Sequence, residues 1–170
     1  TETSIIAWED VSVNVTLDLP IPSMSKGSSM ALGVALAQPD RRVILWDGDG
    51  SLLMNLGSLV TIGGKAPRNL YHIIMDNQMY AMTGGQPLPN LDRTRWDRLA
   101  DGAGYRRTYL FDDLEDWTTR IVEVLDSEGP VLVVMKTVPE LTDWRNNPPP
   151  DGRHMAEAAP LAQTALRGDA

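Results

Sequence analysis

The stretch VILWDGDGSLLMN, residues 43–55, decides how the rest of the chain is read. Val43-Ile44-Leu45 is a short apolar run of the kind found in strands buried on both faces, and a helical pattern opens at Leu52. At the junction one acidic residue, Asp49, stands between Gly48 and Gly50. Three readings compete there: a calcium loop, a tight turn with no further role, and a place where a metal ion holds phosphate.

The flanking sequence repeats the pattern of that junction. Apolar runs predict strands at Val43–Trp46, Leu70–Met75, Tyr105–Leu110 and Val131–Lys136. Helical spacing predicts helices at Ser28–Ala37, Leu52–Ile62, Thr94–Gly102 and Leu114–Leu125, the last with Asp112 and Asp113 as caps and Gly129 beyond its end. Strand and helix alternate, so the expected fold is α/β, a mainly parallel sheet between layers of helices. Two segments break the rhythm. Residues 76–92, DNQMYAMTGGQPLPNLD, form a long loop directly after a central strand, and long loops in compact domains are usually functional or disordered. Residues 146–170 read as an extended, proline-rich connector and a short helix, set apart from one domain over residues 1–145.

Composition narrows the chemistry. The 170 residues include no cysteine, which removes disulfides, thiolate catalysis and cysteine-held metal clusters from this chain. A net charge of -8 disfavours nucleic acid as a partner. No apolar run approaches the roughly 20 residues of a membrane span, and TETSIIAWED lacks the basic flank of a signal peptide, so a soluble, cytoplasmic protein is expected.

Asp47-x-Asp49-x-Ser51 matches the first positions of an EF-hand loop, yet the glycine and glutamate required later in that loop are Leu52 and Ser58 here. A plain strand-to-helix turn explains the glycines, through positive φ, and Ser51, as a helix cap. It leaves Asp49 unexplained at the carboxyl end of a strand, where open α/β sheets bind their ligands. A carboxylate there repels phosphate but can hold Mg²⁺, which is commonly shared between protein oxygens and substrate phosphates. The Gly50 and Ser51 amides at the start of the helix would then face the phosphate oxygens.

Gly48-Asp49-Gly50, with Asn77 at the end of the next predicted strand, resembles the motif of the thiamine diphosphate enzymes. SMSKGSSMALGVALAQPDRRVILWDGDGSLLMNLGSL and MDNQMYAMTGGQPLP are similar to the cofactor-binding half of their decarboxylase branch, most closely the sulfopyruvate and phosphonopyruvate decarboxylases, over about residues 22–137. The resemblance implies a thiamine diphosphate-binding fold in which Asp49, Asn77 and the main-chain oxygen of Met79 hold Mg²⁺ against the diphosphate. Gly48, Gly50, Ser51 and Tyr80 would border the cofactor. Ser23 and Met24 fall where the branch has Gly-Ser-Met-Gly, whose large apolar residue props the cofactor into its bent, reactive shape; without the resemblance, Met24 reads as core filling. Pro22, Ser25, Gln78 and Ala81 stand where the branch has glycines.

In this family a glutamate on a separate pyrimidine-binding domain activates the cofactor. Glu2 and Glu9 lie in a short N-terminal segment with no strand–helix unit before them and read as exposed charges. The expectation is therefore a β-type subunit with no catalytic side chain of its own, completed by a pyrimidine-binding α subunit in a hetero-oligomer with two or more of each chain, acting on a small 2-oxoacid. His72, within a strand, and His154, in the tail, read as structural or solvated. Thr83, Gly84, Gly85 and Gln86 could border the substrate, and Lys26, Lys65 and Arg68 are the basic candidates for a second anionic group. Three alternatives stay open: an acetolactate synthase-like carboligase, a ferredoxin-coupled oxidoreductase with its clusters on another chain, and a flavodoxin-like nucleotide-binding regulatory module.

Overall fold

A computed structural model describes residues 8, 11–141 and 154–167. Four strands, β1 (Val43–Gly48), β2 (Leu70–Asp76), β5 (Arg107–Phe111) and β6 (Val131–Lys136), form one sheet in the order β1-β2-β6-β5. All three pairings are parallel, with Val43 opposite Leu70, Tyr71 opposite Val131 and Arg107 opposite Val131. The helices are α1 (Gly27–Ala37), α2 (Asp49–Leu53), α3 (Ser58–Lys65), α4 (Trp96–Ala103), α5 (Leu114–Asp126) and α6 (Met155–Arg167).

Alternation along the strands sorts the core into two faces. Leu70 and Ile74 of β2 and Leu132 and Val134 of β6 join Ala31, Leu32, Ile62, Trp96 and Ala100 from α1, α3 and α4. Tyr71 and Ile73, with Val131 and Val133, turn the other way and meet Val124 and Trp117 of α5. The chain steps outward from β1 to β2 but returns from β5 to β6. Right-handed crossovers therefore place α3 and α5 on opposite faces, as the two clusters record. Among the described residues the second face is covered chiefly by α5, with the Trp8 ring 5.9 Å from that of Trp46, and Ile44 on β1 stays 43% exposed.

Local chemistry sets several boundaries. Asp113 Oδ1 accepts from the Asp116 amide at 2.9 Å and caps α5, as its sequence predicts. The Asn69 side-chain amide reaches the Ala35, Gln38 and Arg41 carbonyls and closes the carboxyl end of α1. At Gly63 an added Cβ would stand 1.9 Å from the Ala103 carbonyl oxygen, so α3 and α4 meet backbone to backbone.

Three expectations change. The helix expected at Leu52–Ile62 is two helices, because it starts at Asp49, stops at Leu53 and restarts at Ser58. The loop expected over 76–92 contains a small antiparallel hairpin of β3 (Met79–Tyr80) and β4 (Gln86–Pro87), joined by a 3-10 turn at Ala81–Thr83. The helix expected in the tail is α6, 13 residues long, packed on the turn Val15–Leu17 with Ala158 and Ala162 buried. The connector before it, like Glu2 and Glu9, lies outside the described residues. No helix among the described residues is long and apolar enough to cross a membrane.

Candidate functional site

The site lies at the carboxyl ends of β1 and β2. Gly48 is the last residue of β1 and Asp49 the first of α2, so the Asp49 carboxylate is placed by a strand end and is 1% exposed. Its Oδ1 accepts from the Gly50 amide at 2.7 Å and its Oδ2 from the Gln78 amide at 2.6 Å. The second bond fastens the loop after β2 onto the aspartate, which brings Asn77 and Met79 beside it. Asn77 Oδ1 accepts in turn from the Met79 amide at 3.2 Å.

The glycines of this junction serve close approach. Gly48 has φ −93, so positive φ does not explain it, and Ser51 lies inside α2, so it does not cap it. A Cβ on Gly50 would sit 2.7 Å from Cδ1 of the Tyr80 ring, which packs directly over that backbone. The left-handed residues are elsewhere: Ser25 at φ 70 and Gln78 at φ 64. Both stand where the resembled branch has glycine, so the chain keeps a glycine-like path and bears the strain of a side chain on it. The Ser51 hydroxyl oxygen accepts from the Ser25 amide at 3.0 Å, tying the Ser23–Ser25 segment to α2. Met24 there is half-buried and Ser23 exposed.

Charge is concentrated at these strand ends. Asp76 closes β2, is 3% exposed and is bonded by the Lys136 ammonium from the end of β6. Burial, and then the neighbouring Asp76 carboxyl, push Asp49 up from the ordinary carboxylate range to about 7. Two residues back, burial raises Asp47, but the His72 side chain outweighs it and holds Asp47 below its usual value. His72 is fully buried, with Nε2 3.4 Å from Asp47 Oδ2 and Nδ1 3.2 Å from the Tyr105 hydroxyl. It is thus part of the sheet interior beneath the site, as its strand position predicts, and His154 is exposed at the start of α6.

Among the described residues no three His, Cys, Asp or Glu side chains cluster as a metal centre. A metal here would rest on one carboxylate with amide and main-chain oxygens. That donor set is hard and oxygen-only, and two carboxyls pressed together in a buried place are what a divalent cation relieves, so the residues present fit Mg²⁺. The fit to phosphate is narrower than the sequence suggests. α2 is five residues long, and the Gly50 amide is engaged by Asp49 Oδ1.

Other candidates separate by position. Thr83 and Gln86 hydrogen-bond each other at the exposed tip of the β3–β4 hairpin. Lys65 and Arg68 lie before β2, at the amino ends of the strands and away from Asp49, and Arg68 pairs with Glu128. Lys26 is exposed just before α1. Sequence reasoning missed Asp76, Lys136 and Asn55. Asp76 and Lys136 are register partners at the ends of two apolar strands, and a charged residue closing each run was the available signal. Asn55 carried no signal.

A family model described as the C-terminal TPP binding domain of thiamine pyrophosphate enzymes matches residues 18–135. The phosphonopyruvate decarboxylase of Streptomyces viridochromogenes is 37% identical over 75% of this chain and 32% of that protein. The sulfopyruvate decarboxylase subunit beta of Methanocaldococcus jannaschii is 40% identical over 69% of this chain and 61% of that subunit. The chain thus spans less than two thirds of the length of each. A thiamine diphosphate-dependent 4-hydroxybenzoylformate decarboxylase from Rhodococcus jostii RHA1 superposes with a TM-score of 0.59 at 28% identity, over 70% of this chain and 24% of that one. The strand-end aspartate, the loop fastened to it and the matched span converge on one conclusion: the chain belongs to the thiamine pyrophosphate enzymes, as their C-terminal TPP-binding domain.

Proposed function

We propose that this chain is the diphosphate- and Mg²⁺-binding part of a thiamine diphosphate-dependent 2-oxoacid decarboxylase of the sulfopyruvate or phosphonopyruvate type. A pyrimidine-binding α subunit completes it in a hetero-oligomer. The observation that carries the proposal is the buried Asp49 carboxylate, held at the end of β1 and clasped by the Gln78 amide with Asn77 and Met79 alongside. The named relatives support the substrate class: one is a phosphonopyruvate decarboxylase and another the beta subunit of a sulfopyruvate decarboxylase.

The geometry supports a division of labour. Asp49, the Asn77 amide oxygen and the Met79 carbonyl are the groups that would hold Mg²⁺. Gly48, Gly50 and Ser51 border the diphosphate, and Tyr80 closes over Gly50 to limit water there. Met24, half-buried on the segment tied to Ser51, would support the cofactor in its reactive shape. Thiamine diphosphate, when bound, supplies the electron sink for the pair released as carbon dioxide leaves a 2-oxoacid. The cofactor-activating carboxyl and part of the substrate pocket come from the α subunit. The proposed determinants fall within residues 1–145, and α6, packed on the turn Val15–Leu17, contributes none of them.

The test supplies this chain with thiamine diphosphate, Mg²⁺ and a panel of 2-oxoacids including sulfopyruvate and phosphonopyruvate, with and without a pyrimidine-binding partner, and follows carbon dioxide release. Turnover only with the partner, lost when the partner's activating glutamate becomes glutamine, is the expected result. Robust turnover by the chain alone removes the split-site proposal.

A further inference from the structure

Two side chains of the α2 region grip one strained residue of a distant segment. Ser25 sits at φ 70, a conformation that glycine adopts freely and serine does not. Its amide donates to Ser51 Oγ at 3.0 Å, and its carbonyl accepts from Asn55 Nδ2 at 2.9 Å. Both main-chain polar groups of one residue are therefore held from one side. Ser51 lies in α2 and Asn55 two residues past its end, where the Asn55 main-chain amide still donates to the Leu52 carbonyl at 2.9 Å, and from there both side chains reach Ser25. Asn55 Nδ2 also reaches Ser29 Oγ at 3.2 Å, so the same amide touches the first turn of α1. Ser51 itself is 3% exposed and hydrogen-bonds the buried Asp47 carboxylate, which lies 3.4 Å from His72. The grip is thus anchored in the sheet interior rather than in a mobile surface.

We infer that Ser51 and Asn55 are positioning residues whose clasp holds Ser25 in its left-handed conformation and thereby aims Met24 at the cofactor. The aiming of Met24 rests on the function proposed above; the clasp does not. Without the Asn55 donor, Ser25 relaxes toward negative φ and the peptide carrying Met24 rotates. Asn55 then needs no contact with the cofactor to govern turnover. The chain keeps serine at a position where glycine is strain-free, and the clasp is what makes this tolerable. A glycine at 25 should therefore make the clasp dispensable, which a merely structural contact would not predict.

Asn55→Asp is the sharp variant, since it keeps the shape and replaces the donor with an acceptor facing the Ser25 carbonyl. Amide hydrogen exchange of the cofactor-free chain should show at least tenfold faster exchange at Ser25 in Ser51→Ala. In Asn55→Asp, exchange across residues 24–28 should likewise quicken. In the complex with the pyrimidine-binding partner, Asn55→Asp should lower kcat about tenfold with less than threefold change in the thiamine diphosphate Kd. Adding Ser25→Gly to Asn55→Asp should recover at least half of the lost kcat. Unchanged exchange in both single variants overturns the clasp. Faster exchange with no recovery by Ser25→Gly overturns the positioning role. Failure of the unaltered chain to bind thiamine diphosphate removes the function proposal alone, because the exchange comparison is made without cofactor.

Discussion

The Gln78 amide donates to Asp49 Oδ2 at 2.6 Å, and the residue making that bond sits at φ 64. A strained backbone thus holds the one buried carboxylate that the site depends on. The bond joins the ends of β1 and β2 and converts two strand termini into a single cradle. Because the donor is main chain, the conformation matters more than the Gln78 side chain. Gln78→Gly should change stability by about 1 kcal/mol or less, and Gln78→Pro should cost about 2–4 kcal/mol, since proline lacks the N–H and cannot adopt positive φ. Urea unfolding of both variants checks this; a Gly variant as damaged as the Pro variant would place the role in the side chain.

Asp49 should make the stability of the metal-free chain pH-dependent. Its carboxyl is pushed up from 3.8 to about 7, so the folded state holds that proton more tightly than the unfolded one does. The resulting stabilisation is fully present below pH 3.8 and is lost as pH rises through about 7. Asn at 49 cannot titrate. In Asp49→Asn the decline in stability across that window should shrink by on the order of 2 kcal/mol, measured by denaturant melts in the presence of a chelator. An unaltered pH profile would show that the raised carboxyl is not Asp49.

Removing the oxygen donors separates binding from folding. Asp49→Ala and Asn77→Ala should each weaken Mg²⁺-dependent thiamine diphosphate binding at least a hundredfold, read by calorimetry, with the far-ultraviolet circular dichroism of the fold retained. Near-normal affinity at limiting Mg²⁺ in either variant would remove that residue from the metal set.

Met24→Ala tests a mechanical role. Met24 is half-buried, so its truncation should cost about 1 kcal/mol of stability or less, well under the 2–5 kcal/mol of a core methionine. Turnover of the completed enzyme should fall more steeply than cofactor affinity. A large stability loss with kcat unchanged would instead mark Met24 as core.

Gly63→Ala probes the helix layer that carries the site. The new Cβ would meet the Ala103 carbonyl oxygen at 1.9 Å, a backbone atom with little freedom to move. α3 and α4 must separate, and a loss of about 3 kcal/mol or more in thermal or urea unfolding is expected. Gly64→Ala, where a Cβ meets nothing within 4 Å, is the control and should be neutral or slightly stabilising.

The sequence by itself determined the parallel α/β architecture, because apolar runs with helical spacing between them have few other ways to bury both faces. It also pointed to Asp49 and Asn77 as candidates, since each follows directly on the end of an apolar strand and such positions are where open sheets bind ligands. Boundaries inside the site were not legible. Helical spacing continues from Leu52 to Ile62, yet the folded chain breaks it into α2 and α3 with a turn at residues 54–57. Nor could spacing reveal why Gly50 is glycine. That reason is the Tyr80 ring, which arrives from a different strand end. The pairing of Asp76 with Lys136, and of Asn55 with Ser25, was invisible for the same cause, although a charge closing each of two apolar runs marked Asp76 and Lys136 singly: each pair is far apart in sequence and meets only in the folded chain. Local pattern fixes which segments are buried, but polar partnerships across the sheet depend on three-dimensional neighbours, and those the tertiary structure alone decided.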